Sequence, residues 1–229
     1  MPVHGTLGKD WSEALDESRT AVSGESTIQF LFSHILRRGA LYLLGLIVIF
    51  DNLAMWSAST WMPTLAQEAF DVDASHKGSL MSIFAGGVLL GRLLMATFLA
   101  GKVSDHKLLG YSYGASMLVF MLLLAAPTYL MLVVAWFLVG LFMSAQAAMT
   151  NAIAVRKFKG AAGIAIPIAD GIGSLAMFVG PPLFGSIADA KGERIRAALW
   201  LVPVFGFALS AISLGWEWVD NRTRRKPHV

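Results

Sequence analysis

The chain has no cysteine among its 229 residues, which excludes a disulfide framework and any thiolate metal site. Charge is also scarce: Asp, Glu, Lys and Arg make up 14% of the chain, against about 25% in a soluble globular domain. With 56% apolar residues and a mean hydropathy of +0.63, a water-soluble fold is excluded as well. The first 27 residues lack the apolar core of a secretory signal. No Gly-Lys-Ser/Thr loop is present to cradle nucleotide phosphates, and the five histidines fall in loops or tails without ligand spacing. The sequence therefore predicts no enzyme, no cofactor and no metal. The net charge of +3 comes as short basic clusters between apolar runs, not as one basic face, so nucleic acid is not an expected partner. Such clusters suit loops at the edge of a lipid bilayer.

What remains is long apolar runs. Six are long enough to cross a hydrocarbon core that takes about 20 helical residues: 41–63, 78–101, 109–127, 129–150, 161–187 and 197–216. Uninterrupted runs of this kind cross as helices, because lipid offers backbone groups no other partner. The link at 126–129 is so short that the third and fourth spans must form a hairpin. Eleven Lys and Arg near the helix ends fall on one side (Arg37, Arg38, Lys102, Lys107, Arg156, Lys157, Lys159, Arg222, Arg224, Arg225, Lys226) and four on the other (Lys77, Lys191, Arg194, Arg196). The positive-inside rule then places both termini in the cytoplasm, with the cell (inner) membrane as the expected location. Trp61 and Tyr129 suit an outer aromatic belt, and Trp216 and Trp218 an inner one. Residues 1–40 read as a cytoplasmic lead-in, with an amphipathic helix near 27–38 whose apolar stripe is Ile28, Leu31, Phe32, Ile35 and Leu36. Residues 217–229 read as a basic cytoplasmic tail.

An internal echo runs through the spans. The second ends in "GKVSD" (Gly101 to Asp105) and the fifth in "GSIAD" (Gly185 to Asp189), and the two leave the membrane on opposite sides. Two helix triplets related by inversion would place them so, an arrangement found in secondary transporters. On "GGVLLGRLLMATFLAGKVSDHKLLG" and "GSLAMFVGPPLFGSIAD", residues 41–216 resemble the C-terminal six-helix half of a major facilitator superfamily transporter. The resemblance implies an all-α integral membrane fold of two inverted three-helix repeats, one half of a twelve-helix transporter that works by alternating access. It implies as partners a small polar solute, a proton or other coupling ion, the lipid bilayer, and an N-terminal half or a second copy. The family's gating-loop pattern, Gly-x-x-x-Asp-basic-x-Gly-basic, is matched by Gly101 and Asp105. His106 takes the first basic place, Lys107 carries the charge one place later, and Leu108 replaces the glycine. "WSASTWMPTL" with "GRLL" is similar to the fucose-permease-like sugar branch. By the same resemblance the first and fourth spans line the central cavity, which places Asp51, Asn52, Trp56, Trp136 and Gln146 there.

Three charges sit inside spans: Asp51, Arg92 and Asp170. An ionised group at mid-bilayer costs about 2.5–3.5 kcal/mol on insertion scales, so such groups face a bundle interior or a wet cavity. One cation and two acids fit three roles. Arg92 neutralises one carboxylate while the other exchanges a proton, or the charges form a structural ion pair, or Arg92 binds an anionic solute directly. Asn52 and Trp56, four residues apart, offer an amide and an aromatic platform of the kind that lines sugar sites. Pro167, Gly171 and Gly173 around Asp170 read either as a moving part or as a tolerated kink. Gly87 and Gly91 read as a close helix contact. A membrane assembly subunit without transport is the reading from a different class.

Overall fold

The computed structural model describes residues 36, 39–72, 77–99, 102–158, 161–191 and 195–224. The amphipathic helix expected near 27–38, Gly101 and most of the 1–40 lead-in lie outside the described residues. The chain divides into two compact units, Met1–Leu41 and Tyr42–Val229. Every element assigned among the described residues is helical, and six of the helical stretches are long and apolar enough to cross a membrane.

The first span is α1 (Gly39–Phe70), and the second is α2 (Lys77–Leu94), continued by a π-helical stretch, Met95–Leu99. The third is α3 (Asp105–Leu124); the fourth is α4 (Tyr129–Met143) followed by α5 (Gln146–Lys157). The fifth is α6 (Ala162–Lys191), and the sixth is the short α7 (Ile195–Leu199) with α8 (Leu201–Arg224).

Several helices outrun their apolar cores. α1 continues past Pro63 to Phe70 and stops at Asp71, whose φ of 53° is left-handed and whose N–H bonds to the Gln67 carbonyl at 3.0 Å, a helix-ending turn. α8 reaches Arg224, so residues 217–224 of the expected tail are helical. The fourth span, expected as one helix, breaks at Ser144 and Ala145. Ser144 Oγ donates to the Leu141 carbonyl at 2.7 Å, giving the backbone a local alternative to the helical ladder. Thr128 caps α4 by accepting from the Met131 N–H at 3.3 Å, which starts the second helix of the short hairpin.

Helix pairing follows the small residues. α2 runs parallel to α4: a Cβ on Gly87 would stand 2.1 Å from the Phe137 carbonyl oxygen, and one on Gly91 2.2 Å from that of Leu141. α6 runs parallel to α1, with Gly173 against Val48 and Gly185 against Trp61. α3 runs antiparallel to α8, where Ser210 Oγ donates to the Gly110 carbonyl at 2.7 Å. Exchanging the first three spans for the last three maps this pairing onto itself, as an inverted repeat requires. Gly87→Val must force α2 and α4 apart. Overpacking of a core costs about 1–3 kcal/mol, and a thermal melt in detergent should fall by at least about 2 °C; an unchanged melt would refute the backbone contact.

Candidate functional sites

Asp51 is half-buried on α1, and Tyr113 Oη, fully buried on α3, donates to its Oδ1 at 2.7 Å. The carboxylate also lines a cavity of about 190 Å3 with Arg92, Ser144 and Gln146. The first, second and fourth spans thus converge on one chamber, where Asp51, Arg92, Ser144 and Gln146 stand among apolar side chains, and the third span reaches the Asp51 carboxylate through Tyr113. Ser144 and Ala145 keep right-handed helical dihedrals, so α5 follows on from α4 and brings Gln146 to the same cavity as Arg92 of α2. Asp51 and Arg92 share this chamber without touching: among the described residues Arg92 forms no ion pair. Asp51 has a neutral hydroxyl, that of Tyr113, as its direct partner.

Asp170 lies elsewhere. It is exposed on α6, and its backbone carbonyl accepts from Ser174 Oγ at 2.7 Å. Its neighbour Ile172 meets Gly45, six residues before Asp51, so Asp170, two residues earlier still, lies roughly 12 Å off Asp51 along the helix axis at 1.5 Å per residue. Asn52 is half-buried and Trp56 is 45% exposed, one turn further along α1. Trp136, expected at the cavity, is fully buried instead: its ring sits 4.6 Å from Phe84 and 6.4 Å from Phe120, and its Nε1 donates to the Leu80 carbonyl at 3.1 Å. Trp61 is likewise a helix contact, donating to the Pro181 carbonyl at 2.9 Å. An indole N–H inside a bundle takes a protein acceptor when one is in reach, which draws the ring inward from the lipid edge.

A second cluster gathers at one end of the bundle. Ser104 caps α3, accepting from the Lys107 N–H at 3.4 Å, and its Oγ donates to Glu217 Oε2 at 2.7 Å. Asp105 is buried and takes Arg156 Nε on Oδ2 at 2.9 Å and Nη2 on Oδ1 at 3.4 Å, a two-point guanidinium contact. Lys107 Nζ lies 3.9 Å from Glu217, while Lys157 binds Asp220 and stands 5.3 Å above the Trp216 ring. His106 packs on the same indole at 5.0 Å between ring centres, and its carbonyl accepts from Ser213 Oγ at 2.9 Å. Trp216 is 7% exposed and so belongs to this cluster, whereas Trp218 is exposed, with Arg222 stacked over it at 3.5 Å. The loop between the second and third spans is thereby tied to the ends of the fourth and sixth. Asp105 and Lys107 were legible from the loop pattern. Arg156, Glu217 and Asp220 were not, since only folding brings their helix ends together. Tyr113 carries a sequence signal of its own, since "YSYGAS" sets hydroxyls inside an otherwise apolar span.

At the other end, Glu68 accepts from the Ile195 N–H at 3.1 Å, and Phe70 meets Tyr129 at 6.3 Å.

A six-span helical bundle with internal two-fold pairing, a chamber lined by Asp51 and Arg92 within the spans and a charged tie at one end defines a polytopic membrane protein of the transporter type. The family model for the Major Facilitator Superfamily matches residues 22–228, and the chain belongs to that superfamily. No curated protein and no solved structure matches the chain.

Proposed function

We propose that this chain is one six-helix half of a secondary transporter that moves a small polar organic solute, by symport with a proton or another ion, through rocking against a second bundle. The reading rests above all on the Asp51–Tyr113 hydrogen bond at 2.7 Å, beside a chamber shared with Arg92 and Gln146. Asp51 holds the coupling proton, Tyr113 orients the carboxyl, and Arg92 with Gln146 meets polar groups of the solute. Asn52 and Trp56 extend the solute surface along α1. The chamber's size supports a partner. Solute sites typically occupy about 300–1,000 Å3, and 190 Å3 is a fraction of that. A second bundle, either an N-terminal half or another copy, supplies the remainder. The tie around Asp105 and Glu217 holds one end closed in one state and releases in the other. Lys102, Lys107, Arg156 and Arg222 crowd that end, and on the positive-inside rule it faces the cytoplasm. A reporter fused after Val229 should give a cytoplasmic signal, and an outside signal would overturn the orientation.

The test of the partner face uses the lack of native cysteine. Single cysteines at Asn52 and Trp56 should cross-link to a co-expressed N-terminal half, or to a second copy, with no background from the wild-type chain. Absence of cross-links in every pairing, together with lipid-phase labelling of both positions in a monodisperse monomer, would exclude the half-transporter reading.

A further inference from the structure

A groove of about 410 Å3 runs between the second, third and fourth spans and shares no lining residue with the Asp51 chamber. Leu94 and Leu99 line it from the second span, Val103 from the loop, Leu108 and Ala115 from α3 and Phe142 from α4. The π-helical stretch supplies Met95 and Leu99; such stretches insert an extra residue per turn and often mark functional sites. Ser112 also lines the groove, but its hydroxyl is already bonded to the Leu109 carbonyl at 3.2 Å. The walls therefore ask for hydrocarbon. One end is charged. The Lys102 N–H bonds to the Leu99 carbonyl at 3.1 Å, and Leu99 and Val103 are both in the wall, so residue 102 stands at the groove's mouth. The Lys102 side chain is exposed and forms no ion pair among the described residues.

An apolar slot with a lysine at its mouth fits an amphiphile with one hydrocarbon chain and an anionic head. We propose that the groove binds one anionic phospholipid of the bilayer, its acyl chain between the second and third spans and its phosphate against Lys102. A neutral lipid meets the walls but leaves the lysine unmatched, and a soluble phosphate compound meets the lysine but leaves the walls empty. Binding here braces the loop that begins the Ser104–Glu217 tie.

The experiment uses the full chain in detergent, labelled at Ala115→Cys with a fluorophore and titrated with phosphatidylglycerol or phosphatidylcholine carrying brominated acyl chains. Quenching by phosphatidylglycerol should reach half-maximum at about one-fifth the concentration needed for phosphatidylcholine, the worth of one lysine near an anionic lipid. Lys102→Gln should erase that preference, and glycerol phosphate should not compete. A label at Leu130→Cys, on a side chain 70% exposed and outside the groove, should show no preference. Val103→Cys provides a second groove label should Ala115→Cys misfold. Equal quenching by both lipids at the groove labels, or behaviour identical to Leu130→Cys, would overturn the proposal. So would competition by glycerol phosphate, which identifies a free-anion site, or loss of quenching on co-expression of an N-terminal half, which identifies a protein interface.

Discussion

Asp51→Asn is expected to abolish uphill accumulation of solute in the assembled transporter while leaving downhill exchange measurable. Asn matches Asp in size and its carbonyl can accept the Tyr113 hydroxyl, now 2.7 Å from Oδ1, so the helix contact survives. What it cannot do is take up and release a proton. Accumulation depends on that cycle, whereas exchange requires only that the loaded carrier change its facing. Tyr113→Phe removes one hydrogen bond to a carboxyl, worth about 1.5–3 kcal/mol when the acceptor is charged, and should impair accumulation without abolishing it. Asp170→Asn should leave accumulation intact, because Asp170 is exposed on α6 and is not among the residues lining the Asp51 chamber. Full proton-driven accumulation in Asp51→Asn would remove this residue from coupling.

Opening the charged tie should slow turnover without weakening solute binding. Asp105→Asn loses the two-point contact with Arg156, and Glu217→Gln loses both the Ser104 anchor's charge and its attraction to Lys107. Arg156 is 71% exposed, so solvent screening holds the single pair to at most about 1 kcal/mol. Each single variant should change turnover only a few-fold. The double variant removes the tie between the loop and the ends of two other spans. A combined loss of about 1–2 kcal/mol biases the two facing states by roughly five- to thirtyfold. Turnover measured at saturating solute should fall by that factor, with the solute Kd unchanged within twofold. An unaltered turnover in the double variant would make the cluster a static support.

Most of the fold is legible from hydropathy because the bilayer leaves the backbone a single solution. Span number and the tight hairpin before Tyr129 follow from run length alone. The boundaries are less visible, since helices continue into water wherever good helix formers follow, as "LAQEAF" does after Pro63. The break at Ser144 depends on one hydroxyl and on the space beside Gly91, neither of which leaves a trace in an apolar run. For the site, the charges at positions 51 and 92 stand out in the sequence because charge inside an apolar run is rare, and the fold brings both to one cavity. The position of Asp170 relative to Asp51 is not legible in the sequence, because it depends on how α6 is set against α1, with residue 172 meeting residue 45. The tryptophan contacts are not legible either: the partners of Trp61, Trp136 and Trp216 lie on other helices.

Solute uptake into proteoliposomes, with and without a co-reconstituted N-terminal half and with an imposed proton gradient, tests the central claim most directly. A panel of labelled small polar organic solutes should include at least one that the complete assembly accumulates only while the gradient lasts. The same solute should not accumulate when the N-terminal half is replaced by empty lipid, unless cross-linking at Trp56 has identified a second copy of this chain as the partner. Failure of every solute to accumulate in a cross-link-verified assembly, or accumulation indifferent to both the gradient and Asp51→Asn, would contradict the account.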